Sequence, residues 1–362
     1  RVLMSGGGTA GHIYPALTVA DRLVAEGHEV TFIGTPDGLE ARLVPEAGIR
    51  FVGVRAAGFD RGNPLTLITS SVRILVSVLR AGGLLRQHRP DVVLGFGGYV
   101  SLPVGLAAAL HRVPLVVHEQ NSVPGLANRI LSRWARAVGV TYEESLRYLR
   151  HPDRAVVTGN PVRGTVLAAD RERGRRSFGL ATDAVVLLVF GGSRGARHIN
   201  DTLVSLAPEL MAIPSLEVLH SAGRIESESV ASRVTAILGG HTSRYHVVDY
   251  IEAMGDAIAA SDLIVSRAGA TSIAEITAIG RAAVLVPYPF ATDDHQTLNA
   301  RAVAESGGAV VIADDELGSE RFRKTILDLL DDEQQRAAMS RASAALGRPD
   351  AADRVVALVR DV

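Results

Sequence analysis

A chain of 362 residues is too long for one ordinary core and fits two domains. Hydrophobic residues make up 47% and charged residues 21%, a balance that argues against disorder. Lys and Arg number 38 against 39 Asp and Glu, so no global field for nucleic acid exists, and the absence of cysteine removes disulfides, thiol nucleophiles and Cys-ligated zinc, as fits a reducing cytoplasm.

The opening "RVLMSGGGTAGHIYPAL" reads as an apolar strand, a glycine turn and a helix rather than as a signal peptide. Gly6, Gly8 and Gly11 fit the dinucleotide spacing G-x-G-x-x-G, which needs an acid at the tip of the second strand. That strand, "EVTFIGT", ends in Gly34 and Thr35, with Glu29 before it and Asp37 beyond. The fingerprint thus lacks its partner, and no Gly-Lys-Ser/Thr follows to make a P-loop. What remains is a helix N-terminus presenting backbone N–H groups to an anion. His12, at the mouth of the turn, is either a polar residue of a first helical turn or a general base.

The stretch "PLTLITSSVRILVSVLRAGGLLRQHRP" is helical but broken by Arg73, Arg80 and Arg86, short of the ~20 apolar residues a span needs. Ile68, Val72, Leu75, Val76 and Leu79 form a stripe that Ile74 and Val78 widen, with Arg89 completing the arginine flank. A single stripe usually packs on its own sheet; this wide, arginine-flanked face is expected to bind a membrane shallowly. "PDVVLGFGG", "PLVVHEQ", "RAVGVT" and "DRAVVTG" then read as buried strands of βαβ units. Pro161 and Gly164 in "GNPVRG" mark a linker.

The pattern restarts with "AVVLLVFGGSRGARHIN". Gly191, Ser193 and Gly195 match the hydrolase elbow G-x-S-x-G, but no later acid and His stand in a distinctive context. A phosphate cradle needs only the loop, with Ser193 as an extra donor, and is favoured. "EVLHSAG", "YHVVDYI", "DLIVSRAGA", "AAVLVPY" and "AVVIADD" supply further strands. The prediction is two doubly wound Rossmann-like domains, 1–161 and 162–345, with ligands in a cleft beyond the strand ends. The last helix, "AADRVVALVRDV", suits either domain.

"GGTAGHIYP", "GFGGYVSLP", "HEQNSVPGLANR", "GNPVR", "GGSRGA", "RAGATSIAEI" and "DDHQTLNA" occur in an order that resembles the MurG family of inverting N-acetylglucosaminyltransferases, glycosyltransferase family 28, over essentially the whole chain. The resemblance implies the α/β GT-B fold: two doubly wound Rossmann-like parallel-sheet domains with an interdomain cleft, and the final helix, about 346–362, crossing back to the first domain. It implies transfer of N-acetylglucosamine from UDP-N-acetylglucosamine to the 4-hydroxyl of the undecaprenyl-pyrophosphoryl muramyl pentapeptide, with no cofactor and no metal. It also implies a peripheral place on the cytoplasmic face of the bacterial cell membrane, with an anionic lipid surface and cell-wall synthesis and division proteins as partners.

By the same resemblance, Thr9, Ala10, Gly11 and His12 face the acceptor and the transferred sugar, and His12 is the base or orients the hydroxyl. Glu119 and Asn121 lie at a strand end nearby, Glu119 being an alternative base or a carboxylate bonding nearby backbone. Arg163 and Ser193 contact UDP. Ile251 reads the uracil through its backbone, with Tyr250 beside it. Ala270, Thr271, Ser272, Ile273, Ala274 and Glu275 wrap the nucleotide, Glu275 on the ribose, although Ser272-x-x-Glu275 also spells a capping box. His295 and Gln296 read the donor sugar, or merely open a helix capped by Asp293 or Asp294. Arg194 stands where Gln is common in the family and Ala10 where Gly is frequent.

No Asp-x-Asp occurs, and eight residues on from Glu275 stands Ala283, so neither a metal-binding motif nor the retaining Glu-x7-Glu pair is present. The rivals are another UDP-sugar glycosyltransferase or a UDP-N-acetylglucosamine epimerase, a serine hydrolase using Ser193, and a non-catalytic nucleotide-sugar binder.

Overall fold

The computed structural model describes residues 1–54, 66–191 and 196–362, with side chains from Ile74 onward in the helix that begins at Thr66. The chain divides into two compact units, Arg1–Arg163 with Arg348–Val362, and Gly164–Gly347. The division falls after Arg163, two residues beyond the Pro161 expected from the sequence.

The first unit holds seven parallel strands: β1 (Val2–Ser5), β2 (Val30–Gly34), β3 (Arg50–Gly53), β4 (Val92–Gly95), β5 (Leu115–Glu119), β6 (Ala137–Val140) and β7 (Ala155–Val157). Their order is β3-β2-β1-β4-β5-β6-β7, so the sheet reverses direction between β1 and β4. Between them run α1 (Ala10–Ala25), α2 (Glu40–Glu46), α3 (Thr66–His88), α4 (Ser101–Leu110) and α5 (Leu126–Leu131). Successive strand residues point to opposite faces, and both faces are covered. Val2, Met4 and Phe32 pack under α1, whereas Leu3, Ile33 and Val93 pack under α3, α4 and α5. The C-terminal helix Ala351–Arg360 lies on α1, burying Val355, Val356 and Val359. The edge strand β3 escapes the sequence reading because it is four residues long and half exposed.

The second unit repeats the plan with β8 (Val185–Phe190), β9 (Leu216–Ser221), β10 (Tyr245–Val248), β11 (Leu263–Ser266), β12 (Ala282–Leu285) and β13 (Ala309–Val311). The parallel order β10-β9-β8-β11-β12-β13 reverses between β8 and β11. Leu187 and Val189 face the helix Arg197–Met211, and Leu188 and Phe190 face the helix Ala270–Ile279.

The final helix contributes core, not decoration. Val355→Ala should lower the stability of the first unit by about 2 kcal/mol, the scale of a buried methyl-pair deletion, read as a lower midpoint in chemical denaturation.

Candidate active site

In each unit the chemistry-bearing residues gather at the carboxyl ends of the strands beside the reversal point, where α/β sheets bind ligands. In the first unit, β1 runs into Gly6, Gly7, Gly8 and Thr9, and α1 starts at Ala10. Thr9 is the N-cap, but its hydroxyl is 3.0 Å from His12 Nδ1 and makes no capping bond to the helix. His12 Nδ1 also lies 3.1 Å from the Gly7 carbonyl oxygen. A carbonyl only accepts, so Nδ1 carries the proton in that bond and Nε2 carries the ring's lone pair.

The turn after β4 meets this one through glycines. A Cβ on Gly97, which sits at φ +90°, would stand 3.1 Å from Asn128 Nδ2 and 3.3 Å from His12 Nε2. Ser101 Oγ secures the turn with its one O–H shared between the carbonyls of Gly97 (2.7 Å) and Ser5 (3.0 Å).

Glu119 closes β5 and is 1% exposed. Oε1 accepts from Asn121 N at 2.9 Å and Asn121 Nδ2 at 3.3 Å. Oε2 accepts from Gly125 N at 3.0 Å and Asn128 Nδ2 at 2.8 Å. Four donors occupy this carboxylate, which draws the loop after β5 and the start of α5 around itself. Asn128, which the sequence reading did not single out, touches both Glu119 and the space beside Gly97; its position in "GLANR" was the available signal. His118, beside it, is fully enclosed: Nε2 donates to the Gly159 carbonyl (3.0 Å) and Nδ1 accepts from Gln120 Nε2 (3.2 Å). Burial pushes its pKa down to about 4, opposed by the bond to Gly159. Arg163, at the end of the unit, lies with its guanidinium 4.6 Å from the centre of the Tyr14 ring on α1.

The glycine turn of the second unit, with Ser193 and Arg194, lies outside the described residues. Across the reversal point, β11 leads through Arg267 and Ala268 to Gly269, the N-cap of the helix Ala270–Ile279. The capping box Ser272-x-x-Glu275 is therefore not formed: the helix starts at Ala270, two residues before Ser272, with Gly269 and not Ser272 as its N-cap. Ala270 to Glu275 are its first two turns, with Glu275 buried and hydrogen-bonded or ion-paired, and Thr271 Oγ1 buried without a partner. Ile251 follows β10 with its side chain in the core against Ile273 and Ile276, so only its backbone is on offer. Arg224 lies 5.1 Å over the neighbouring Tyr250 ring.

Gln296 Oε1 accepts from Ala268 N (3.2 Å) and Tyr288 N (2.9 Å), tying the turns after β11 and β12 together. His295 Nδ1 donates to the Thr292 carbonyl at 2.7 Å. Capping by Asp293 or Asp294 is not what opens that helix: both sit at positive φ, and Asp294 accepts from the Thr297 hydroxyl rather than from backbone. Arg267 donates to Asp314 (2.5 Å) and to the Pro287 carbonyl (3.2 Å), which joins a third loop to the same two turns. Burial pushes the Asp314 pKa up, but hydrogen bonds from His198 and Arg267 outweigh it and hold the carboxylate below its ordinary range. A surface cavity of about 360 Å³ lies elsewhere in the unit, lined by His198, Asp201, Glu209, Phe322 and Arg323.

On α3 the sequence reading needs correction. Ile74 and Val78 do not widen an outward stripe; they pack toward the sheet with Ala81 and Leu85. Leu75 is 59% and Leu79 66% exposed, and Leu110, at the end of the adjoining α4, is 75% exposed. Arg80 and Arg86 on α3, Arg89 just after it and Arg112 just after α4 are exposed, while the side chains of Ile68, Val72 and Arg73 lie outside the described residues. No helix among the described residues is long and apolar enough to cross a membrane.

Two doubly wound parallel sheets, each with a helix N-terminus at its reversal point, define a two-domain Rossmann-like α/β fold, and the family models make it a glycosyltransferase. The glycosyltransferase family 28 N-terminal domain matches residues 2–140 and the C-terminal domain matches 186–355. The UDP-N-acetylglucosamine--N-acetylmuramyl-(pentapeptide) pyrophosphoryl-undecaprenol N-acetylglucosamine transferase of Halothermothrix orenii is 38% identical, covering 100% of this chain and 98% of its own. The crystal structure of Acinetobacter baumannii MurG superposes with a TM-score of 0.80 at 32% identity, covering 100% of this chain and 99% of that one. The chain belongs to this MurG family of N-acetylglucosamine transferases. A UDP-GlcNAc 2-epimerase from Neisseria meningitidis also aligns over 100% of both chains, with a TM-score of 0.68, but at 15% identity it shares the fold alone.

His220, on β9 of the second unit, is bonded in the same manner as His118: Nε2 donates to Asn200 Oδ1 and Nδ1 accepts from the Tyr245 hydroxyl, both at 3.0 Å. Burial pushes it, too, down to about 4. Both rings stay neutral when folded and titrate near 6.5 when unfolded, so below pH 6.5 the unfolded chain binds more protons. Their contribution is complete above pH 6.5 and is lost as pH falls towards 4, up to about 3 kcal/mol each. Denaturant midpoints should drop through that window, and His220→Gln should flatten part of the slope.

Proposed function

We propose that this chain transfers N-acetylglucosamine from UDP-N-acetylglucosamine to the 4-hydroxyl of the undecaprenyl-pyrophosphoryl muramyl pentapeptide, with inversion and release of UDP. The full-length match to transferases of that name carries the reading. His12 is the base: Nε2 takes the hydroxyl proton, the oxygen forms its bond to the anomeric carbon, and the bond to the β-phosphate breaks with its electron pair leaving on UDP. Glu119 is the scaffold, because a carboxylate accepting four hydrogen bonds must surrender one before it accepts a proton. Thr9, Ala10, Gly11 and Asn121 border the acceptor.

On the donor side, Arg163 and Ser193 meet the pyrophosphate, and the first turns of the helix Ala270–Ile279 direct their backbone N–H groups to it. Glu275 takes the ribose hydroxyls, while the Ile251 backbone and Tyr250 frame the base. Gln296 has spent its carbonyl on two backbone donors, so its NH2 group meets a sugar hydroxyl. His295 Nε2 meets another, since Nδ1 is engaged with Thr292. UDP departs on these fixed dipoles.

The lipid half of the acceptor requires an apolar landing place. We infer that Leu75, Leu79 and Leu110 dip into the cytoplasmic leaflet and that Arg80, Arg86, Arg89 and Arg112 meet anionic headgroups.

His12→Gln should lower kcat by about 10²- to 10⁴-fold with donor KM within about twofold, measured as UDP release with the lipid-linked acceptor. A variant with near-normal turnover removes His12 as the base. Arg80→Glu should weaken binding to phosphatidylserine-containing vesicles by about tenfold or more at low salt, each interfacial Arg being worth about 1 kcal/mol. Unchanged binding rejects the membrane face.

A further inference from the structure

One buried carboxylate has no part in the reaction described above. Glu40 opens α2 and is completely enclosed. Its Oε1 accepts from Thr35 N at 2.9 Å and from Thr35 Oγ1 at 2.6 Å, and its Oε2 is buried without a partner. Thr35 follows the tip of β2, the place where dinucleotide folds keep their ribose-binding acid. Here the acid arrives five residues later and turns inward.

The head of that side chain lies against Gly7. A Cβ on Gly7 would overlap the Glu40 carboxylate. Gly7 does not have a left-handed backbone, so the turn itself does not demand glycine there; the contact with Glu40 does. From the other side comes Gly98, at φ +77°, so close that a Cβ on it would collide with the Gly7 carbonyl. The Gly7 peptide is thus held between the Glu40 carboxylate and the Gly98 backbone, and its carbonyl is the one that accepts from His12 Nδ1.

We propose that Glu40 is a positioning residue for the reaction: by wedging the Gly7 peptide against the turn after β4, it keeps the Gly7 carbonyl on His12 Nδ1 and the ring's lone pair on Nε2. The proposal rests on His12 being the base. Which ring nitrogen carries the proton follows from what the other is bonded to, so a Gly7 carbonyl released to tilt away releases the tautomer with it.

The test is the tautomer itself, read on the full chain with 15N-labelled histidine by two-bond 1H–15N correlation at alkaline pH, where imidazoles are neutral. Wild-type His12 should show the Nδ1–H form. Glu40→Ala should move a substantial share to Nε2–H and lower kcat by about tenfold with donor KM within about twofold. Gly7→Ala, whose methyl pushes the peptide off the carboxylate, should do the same should Glu40→Ala fail to fold. Combining the two substitutions lets the methyl occupy the vacated space, and should restore both the Nδ1–H signal and most of the turnover. A structural role for Glu40 alone predicts lower stability with the tautomer unmoved. An Nε2–H wild-type ring, or an Nδ1–H ring in every variant, overturns the proposal. Normal turnover in His12→Gln alongside the expected tautomer shifts instead overturns the assignment of the base.

Discussion

The closeness of two glycine turns at one reversal point is the constraint on which the first unit's site depends. Where β1 and β4 lie side by side, their chains leave for opposite faces of the sheet, α1 to one and α4 to the other. That divergence opens a gap at the strand ends, which the chain fills with backbone rather than side chain. Gly98 approaches the Gly7 peptide, and Gly97 leaves room for His12 on one side and Asn128 on the other. A Cβ on Gly98 would push the two turns apart, and one on Gly97 would press on the side chains of His12 and Asn128. The glycines that carry this close approach, Gly7, Gly97 and Gly98, lie outside the Gly6, Gly8, Gly11 spacing that resembles a dinucleotide fingerprint.

Much of this was legible because a parallel sheet covered on both faces writes itself as continuous apolar runs, such as "VVLLVF" for β8. The short, half-exposed edge strand β3 breaks that rule and is not legible, whereas the edge strands β7, β10 and β13 are. His12 and Glu119 stand out because they sit in short motifs at strand ends, and Gln296 because it sits in a short motif that opens a helix. Glu40 does not: it acts through Gly7, thirty-three positions away in sequence, and belongs to no periodic pattern. The capping box at Ser272 shows the reverse failure, a local spelling that is right in letters yet sits a turn inside the helix, because the chain leaves β11 earlier than the motif assumes.

The helix α3 was misread for a related reason. A stripe at helical spacing reads as one face in the sequence, whereas in the structure the residues divide into two. Ile74, Val78, Ala81 and Leu85 follow the four-and-three spacing of a buried seam, while Leu75 and Leu79 are turned about 100° from it, out of the core. The seam satisfies the sheet by itself, so the outer leucines add nothing to the described core. At about 25 cal/mol for each Å² of apolar surface removed from water, two leucines kept outside represent a few kcal/mol available for contact with another apolar phase.

The histidines separate structure from chemistry. His118 and His220 both hold Nε2–H against an acceptor and turn Nδ1 to a donor, with burial keeping them neutral. A ring locked at both nitrogens and enclosed can neither receive a proton from a substrate nor reach one. His12 has the opposite tautomer, is only partly buried, and spends Nδ1 on the Gly7 carbonyl and Thr9 hydroxyl. Glu119 resembles the locked rings: its oxygens are committed to four donors that shape a loop. Protonating it would release Asn121, Gly125 or Asn128 and loosen the wall beside Gly97, so the group that best organises the site is for that reason the poorer base.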